Sequence, residues 1–422
     1  MLSGGGARGA YEAGVISVLA PALQARGERP TLFLGTSVGA INAAYMGASQ
    51  HLSADQQATG LLERWRQVTK EGVIRPILRH QLPLTALRYV GGLLSVPGAR
   101  VPSLLDPTPL ARSLERWMSW DDLHRNVTAG VVQGVAVVAT AARTGGTVVF
   151  VEADTELALH KSHVVEYVPT KLAEEHVRAS AAIPVLFPPV RVQTPTAARG
   201  WYVDGGTRLN TPIKPALDLG AERLVVIGTE AITEEAPRPG SHDCEPPNFA
   251  DGALHALQGT LVDPLGEDMR MLGNVNTFFA DGKDASAGTR YRQARGKPPY
   301  RRVPYIFIAP SRRGIIGEIA SEVFRARYGG LKGLRSPDFP LLNRLLGGDS
   351  PAHGDLLSYV LFDRDFIDAL IDLGRDDATR WLNTPPEPQR PWKTEPLDAF
   401  IEPRASEDPD RTRRSGEASL TL

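Results

Sequence analysis

A Gly-x-Ser-x-Gly sequence, Gly35-Thr36-Ser37-Val38-Gly39, carries the strongest chemical signal in this chain. It lies between the apolar run Thr31-Leu32-Phe33-Leu34 and the small-residue stretch from Ala40 to Met46, which predict a strand and a helix. A serine on a sharp strand-to-helix turn projects its hydroxyl away from the backbone, and flanking glycines relieve the crowding there. The pattern predicts that Ser37 is a nucleophile, with an ordinary strand-to-helix turn as the alternative.

A glycine-rich segment, Ser3-Gly4-Gly5-Gly6-Ala7-Arg8-Gly9, precedes this serine in the chain. Because glycines lack side chains, the backbone N–H groups of such a segment can approach an anion closely. Fixed donors aimed at a developing oxyanion stabilise the transition state of acyl transfer. The segment therefore predicts an oxyanion hole, with Gly5 and Gly6 as the preferred donors.

The same glycines also allow a different class of protein. Gly4-x-Gly6-x-x-Gly9 fits the dinucleotide-binding fingerprint, which would make the chain a nucleotide-binding oxidoreductase. Such a unit has an acidic residue at the end of its second strand, where this chain has Gly35-Thr36-Ser37. This position favours the hydrolase interpretation.

A carboxylate follows a short apolar run in Trp201-Tyr202-Val203-Asp204-Gly205-Gly206. Asp204 could accept the Ser37 proton directly, but an unperturbed aspartate, with a pKa of about 3.9, is a weak base. A buried setting is therefore needed to raise its pKa. An Asp-Gly turn is the alternative interpretation.

A Ser-His-Asp triad would use a histidine as the base. His242, His255 and His353 are the histidines that follow Asp204, and none has a strand-end context. His160 and His163 have metal-ligand spacing but no third ligand nearby, which favours surface or core histidines over a metal site. We expect a Ser-Asp dyad, with no metal and no cofactor.

In type and order, the three motifs resemble those of patatin-like phospholipases. The similarity includes Arg178-Ala179-Ser180-Ala181-Ala182-Ile183-Pro184 with Phe187-Pro188-Pro189, and Asn210-Thr211-Pro212-Ile213. It covers roughly residues 1–230. Departing from the family's pattern, Met1-Leu2 leaves room for only a very short strand before the glycines, and a long Pro-rich segment ends the chain.

This resemblance implies an α/β class fold, a three-layer α/β/α patatin-like arrangement with a mainly parallel central sheet. It implies hydrolysis of lipid acyl esters through an acyl-enzyme, with Ser37 as nucleophile and Asp204 as proton acceptor. The implied oxyanion loop contains Gly4, Gly5, Gly6 and Arg8. The supporting motif positions are Gly9, Gly35, Gly39, Gly205 and Gly206.

The periodicity of the remaining chain agrees with an α/β fold. Ala10 to Ala25 predicts a helix with a kink at Pro21, and Val131 to Thr140 with Thr147 to Val151 predicts a strand pair. Residues 53–126 look mainly helical. Leu61, Leu62, Trp65 and Val68 form an apolar stripe that favours core over a ligand site. Further strands are expected at Leu224 to Gly228 and Tyr305 to Ala309.

Composition limits the possible partners. The chain has 422 residues, 42% of them hydrophobic, and 47 Lys plus Arg against 48 Asp plus Glu, so its charge favours neither nucleic acid nor an anionic membrane. No apolar run approaches the ~20 residues of a membrane span, and the N-terminus is unlike a signal peptide. We expect a cytoplasmic protein whose single cysteine, Cys244, is a spare thiol.

Three regions are predicted along the chain: a catalytic core over 1–230, an α/β extension packed on it over 231–382, and a flexible tail over 383–422 rich in Pro and charge. Leu82 to Val96 is apolar but interrupted, as in a lid or lipid-facing surface. Ala285 to Arg302 is basic and without acidic residues. These two stretches suggest peripheral contact with a membrane surface, with solvated loops as the alternative. A catalytically weak lipid-binding relative is a further alternative.

Overall fold

The computed structural model describes residues 1–73, 75–76, 105–106, 108–154, 164–184, 186–231, 265–278, 290, 293–294, 301–328, 351–384, 391–395 and 397. Several predictions fall outside these ranges: the stretch Leu82 to Val96, most of Ala285 to Arg302, and most of the tail after Asn383. Cys244, His160 and His163 also lie outside them. None of the described helices is long and apolar enough to cross a membrane.

The described residues fall into two compact units. One is drawn from Met1–Asp263 and Tyr305–Pro391, and the other from Pro264–Pro304 and Trp392–Leu422. In the second unit, Asn276 exchanges two hydrogen bonds with the Val303 backbone, at 2.8 and 2.9 Å. The predicted division into regions at residues 230 and 382 stays a prediction.

The described part of the chain contains ten strands, interspersed with helices. The strands are β1 Leu32–Thr36, β2 Arg75–Pro76, β3 Leu105–Asp106, β4 Gly134–Ala141, β5 Thr147–Ala153, β6 Val165–Pro169, β7 Val190–Val192, β8 Gly200–Asp204, β9 Leu224–Ile227 and β10 Tyr305–Ile308. The helices are α1 Gly9–Gln24, α2 Val38–Ala48, α3 Ala54–Gln67, α4 Lys70–Val73, α5 Thr108–Trp117, α6 Trp120–Thr128, α7 Glu174–Ser180, α8 Ile213–Asp218, α9 Leu265–Phe278, α10 Ile315–Tyr328, α11 Pro351–Val360 and α12 Arg364–Asn383. The helices predicted around residues 10–25 and 40–46 and the strands predicted from periodicity are confirmed.

The central sheet is mixed, so the expectation of a mainly parallel sheet is confirmed only in part. β1 with β4, β5 with β6 and β9 with β10 run parallel, whereas β4 runs antiparallel to both β5 and β8, and β7 runs antiparallel to β8. The strands β1, β4, β5 and β10 are buried at nearly every position, and such continuous apolar runs do not specify the direction of the neighbouring strand. The protein is a mixed α/β structure with a central sheet and helices.

One edge of β4 is shared by two strands that approach each other head-on. β5 pairs along the other edge, from Gly134 to Thr140. On the shared edge, parallel β1 ends with Thr36 opposite Val138, and antiparallel β8 ends with Asp204 opposite the next residue, Ala139. The register therefore brings the carboxyl ends of β1 and β8 together, although they are far apart in the chain.

The expected short first strand consists of a single bridge residue. Leu2 bridges Gly35 of β1 and Ile227 of β9, both in parallel. The Leu2 amide donates to Leu34 O at 2.9 Å, and the Thr36 amide donates to Leu2 O at 3.2 Å. Leu2 thereby connects β1 to β9 and fixes the start of the glycine-rich segment.

Helix α1 packs closely against α12 through glycines on both helices. A methyl group at Gly14 would lie 2.2 Å from Ile371 O, and one at Gly374 would lie 2.2 Å from Tyr11 O. The Tyr11 hydroxyl also donates to Asp377 at 2.9 Å. Because only glycine fits at such distances, this crossing holds α12, near the end of the described chain, against the helix that follows the glycine-rich segment.

Candidate active site

Ser37 lies on a strained turn between β1 and α2. Its φ of 54° makes it the one residue other than glycine with positive φ in the described part of the chain. A side chain rarely adopts this conformation, and in this context it is typical of a nucleophile elbow. The flanking glycines fit tightly: a methyl group at Gly35 would lie 2.1 Å from Gly39 O, and one at Gly39 2.3 Å from Leu2 O.

The backbone of the elbow is held by a serine that the sequence analysis did not single out. The Ser37 amide donates to Ser180 Oγ at 2.8 Å, and Ser180 Oγ donates to Val138 O at 2.5 Å. Ser180 ends α7, and its only signal in the sequence was its place in the segment resembling the family. These two bonds join the turn to β4, while α2, buried at every position, begins directly behind Ser37.

Asp204 ends β8 and is 1% exposed. Its Oδ1 accepts from the Gly206 amide at 2.7 Å, and its Oδ2 has no hydrogen-bond partner among the described residues. Burial raises the pKa of Asp204 to about 7, while the nearby Ser37 hydroxyl and the Gly206 amide lower it by less. The Ser37 hydroxyl thus lies close enough to stabilise the carboxylate without completing a hydrogen bond to Oδ2. Catalytic hydrogen bonds are often incomplete before substrate binds.

The glycines after Asp204 leave no room for side chains. A methyl group at Gly205 would lie 2.3 Å from Val138 O, and one at Gly206 would lie 2.9 Å from Asp204 Oδ1. The first close approach keeps β8 against β4, and the second keeps the Gly206 amide on the carboxylate. Gly205 is therefore required by backbone packing, and Gly206 by the side chains of Asp204 and Asn210.

The glycine-rich segment divides into an anchored part and a free part. Asn210 Oδ1 accepts from the Gly4 amide at 2.9 Å, and the Thr229 hydroxyl donates to Gly4 O at 2.9 Å. By contrast, neither the Gly5 nor the Gly6 amide has a hydrogen-bond acceptor within the described ranges. Gly6 lines the same cleft as Ser37. Gly5 and Gly6 thus supply free N–H donors in this segment.

Arg8 is buried and held by a set of anchoring contacts. Its Nε donates to Ser358 Oγ at 2.6 Å, and its guanidinium pairs with Glu230 and with Asp355, whose backbone oxygen lies 2.9 Å from Nη2. The guanidinium carbon also lies 4.3 Å from the centre of the Tyr359 ring. These contacts attach the glycine-rich segment to α11.

An open cleft with about 770 Å³ of space, part of it open to solvent, adjoins Ser37. Its walls come from the start of α2, from α3 to α5, from the segment after α7, and from the end of α11 and the residues after it. The described lining contains no charged side chain and no histidine. Trp65 and Val68, expected to be core, are buried and also line this cleft.

Comparison with protein families identifies the class. The sequence model of the family described as Patatin-like phospholipase matches residues 1–217, more than half of the chain. The chain therefore belongs to the patatin-like phospholipase family. The matched part contains Ser37, Asp204 and the whole glycine-rich segment, whereas Glu230 and α11 lie beyond it.

Individual relatives add less. No curated protein matches the chain significantly. The crystal structure of VipD from Legionella pneumophila is 14% identical, with a TM-score of 0.32, and the match covers 90% of this chain and 65% of that chain. The chain thus spans just under two thirds of that protein's length, and a likeness at this level supports no argument about mechanism.

Proposed function

We propose that the chain is a serine lipid acyl hydrolase, a phospholipase A-like enzyme or carboxylesterase, that uses a Ser37-Asp204 dyad. The observation that carries this proposal is the meeting of β1 and β8 on one edge of β4, which places a strained serine beside a buried carboxylate. Family membership favours this chemistry over nucleotide binding. The three-layer α/β/α arrangement remains part of the proposal.

In the proposed reaction, Ser37 Oγ attacks the ester carbonyl carbon and its proton passes to Asp204 Oδ2. Deprotonation by a carboxylate is effective here because burial raises the Asp204 pKa to about 7, near the working pH. The carbonyl oxygen becomes an oxyanion that accepts hydrogen bonds from the Gly5 and Gly6 amides. The tetrahedral intermediate then releases the alcohol, which takes the proton from Asp204, and leaves an acyl-enzyme.

Water completes the cycle. It gives a proton to Asp204 and attacks the acyl-enzyme carbonyl, which releases the carboxylic acid and restores the Ser37 hydroxyl. In this proposal Gly4 and Arg8 hold the loop rather than contact the oxyanion, since both are engaged elsewhere. The dyad needs no metal and no cofactor.

Replacement of Ser37 tests the proposal. With p-nitrophenyl butyrate, we expect Ser37→Ala to lower kcat by at least about a thousandfold, because the acyl-enzyme can no longer form. Ser17→Ala is the matched control, since Ser17 lies on α1, where its hydroxyl donates to Gly14 O at 2.7 Å and accepts from Arg375 Nε at 3.3 Å. Equal turnover by Ser37→Ala and wild type would remove Ser37 from the mechanism.

Labelling with a fluorophosphonate separates a working enzyme from a lipid-binding relative without turnover. We expect wild type and Ser17→Ala to form a covalent adduct and Ser37→Ala to form none, because the probe reacts only with an activated serine hydroxyl. A wild-type chain that binds lipid but does not label would support the non-enzymatic alternative.

A further inference from the structure

The cleft beside Ser37 suits one part of an ester better than the other. Its described lining is mostly aliphatic and aromatic and carries no charge, so a phosphate or other ionic head group would lose hydration there without gaining a partner. An unbranched acyl chain would instead bury its methylenes against side chains such as Ile41, Val68, Leu114 and Phe187. Ser37 and Gly6 both line this cleft. The acyl chain of the ester, rather than its head group, therefore enters this cleft.

Trp65 is the largest fully buried side chain in the described part of the chain, and it also lines this cleft. Its ring lies close to the loop: a methyl group at Gly9 would be 2.7 Å from Trp65 Cζ2 and 2.4 Å from a Val38 methyl. On another side it meets the Trp117 ring edge-on, with centroids 5.9 Å apart. Trp65 is thus a rigid part of the wall within reach of the nucleophile's neighbours.

A buried polar chain fixes the orientation of Trp65. The indole Nε1 donates to Asn42 Oδ1 at 3.0 Å, and Asn42 Nδ2 donates to Glu12 Oε2 at 2.8 Å and to Gly9 O at 3.1 Å. Asn42 and Glu12 are both fully buried. Since the amide of Asn42 is held on both sides, the indole cannot rotate without breaking a hydrogen bond in a site shielded from water.

From these contacts we infer that Trp65 limits the length of the acyl chain that the cleft accepts, and that Asn42 and Glu12 are positioning residues that hold its ring in place. This inference rests on the proposed function, because it assigns the acyl side of the ester that Ser37 attacks. It makes Trp65 a specificity-determining residue, outside the proton transfer itself.

The test is a chain-length profile of kcat/KM with p-nitrophenyl esters from acetate to palmitate. In wild type, each added methylene raises kcat/KM by up to about fourfold until the chain reaches Trp65, after which the gain stops. In Trp65→Phe the ring is smaller and lacks the indole N–H, so the gain in kcat/KM continues to longer esters than in wild type. Identical break points in the two proteins would overturn the inference.

Two further variants test the positioning chain. Asn42→Ala removes the hydrogen bonds of Asn42 with the Trp65 and Glu12 side chains. It moves the break point to longer esters, as Trp65→Phe does. Glu12→Gln keeps an oxygen acceptor for Asn42 Nδ2, so it moves the break point less than Asn42→Ala does. Trp381→Phe is the matched control, because Trp381 lies on α12 and its Nε1 donates to Pro391 O at 2.9 Å. We expect this variant to keep the wild-type chain-length profile. A shift in Trp381→Phe equal to that in Trp65→Phe would overturn the assignment.

Binding of fatty acids separates failure of the inference from failure of the proposed function. Calorimetric titration of the Ser37→Ala chain with acids from hexanoate to palmitate needs no turnover. A length limit that moves in the Ser37→Ala, Trp65→Phe double variant supports the inference even in a protein that hydrolyses nothing. The same limit in both proteins overturns it even if ester hydrolysis is established.

Discussion

Two buried carboxylates, at the end of β8 and in the first turn of α1, have similar surroundings, but we propose a catalytic role for only one of them. Asp204 is 1% exposed and Glu12 is 0% exposed. Each has one oxygen bound, by the Gly206 amide at 2.7 Å or by Asn42 at 2.8 Å, and one oxygen without a hydrogen-bond partner among the described residues. Burial raises the pKa of Asp204 to about 7 and that of Glu12 to about 8.

What separates them is their position relative to a nucleophile. Asp204 is at the point where two strand ends meet, next to Ser37, whereas Glu12 faces the interior between α1 and α2. A raised pKa identifies a candidate functional group, and structural carboxylates show the same shift. The strand register therefore carries the functional assignment, and burial alone does not.

Removing each carboxylate gives the largest expected contrast. We expect Asp204→Asn to lower kcat/KM for p-nitrophenyl butyrate by about a hundredfold or more, because the amide cannot take the Ser37 proton. We expect Glu12→Gln to lower it by no more than a few-fold, because Glu12 touches no reacting atom. Circular dichroism confirms that both variants are folded. Equal losses would mean that the comparison between the two sites is wrong.

The pH dependence of the rate distinguishes which carboxylate titrates in the mechanism. Ionised Asp204 is the active form, so kcat/KM rises by about tenfold per pH unit below about 7 and levels off above it. Glu12→Gln retains this profile. A midpoint that moves when Glu12 is replaced would show that the two carboxylates share the titration.

The free energy of unfolding should fall as pH rises, whereas kcat/KM should rise. Between pH 4.5 and about 8, the folded state holds a proton on Glu12 that the unfolded state has lost, so the free energy of unfolding falls as pH rises through this window. Glu12→Gln removes this contribution, and its stability relative to wild type increases by a few kcal/mol from the bottom to the top of the window. Urea unfolding at several pH values measures it, and a constant difference would contradict the assignment.

Arg8 is a third buried ionisable group for comparison. We expect that weakening its contacts has the smallest effect on activity of the changes considered. Unlike the two carboxylates, its guanidinium is paired, and Ser358 holds its Nε at 2.6 Å. Ser358→Ala removes that one partner, so we expect a loss of about 1–3 kcal/mol in unfolding free energy and only a several-fold fall in kcat. Loss of all turnover in a folded Ser358→Ala chain would mean that Arg8 takes a direct part in catalysis.

The sequence predicted those parts of the site that depend on local backbone geometry. Ser37, Asp204 and the flanking glycines could be proposed from the sequence because tight turns and close backbone approaches restrict the residue types that fit. Ser180, Asn210 and Asn42 were not found, since a polar side chain gains its role only from the partner that tertiary packing brings to it. The apolar stripe around Trp65 was expected to be core because helical periodicity reports burial and does not reveal an adjoining cleft.

The head-on meeting of β1 and β8 also bears on the order in which the protein acquires its chemistry. Ser37 and the glycine-rich segment are synthesised early, but their carboxylate partner arrives only with residue 204, and the Arg8 partners Asp355 and Ser358 follow much later. Contacts of such long sequence separation form late in folding. A nascent chain therefore carries the proposed nucleophile without its proposed base until residue 204 has been added, and without the partners that anchor Arg8 for longer still.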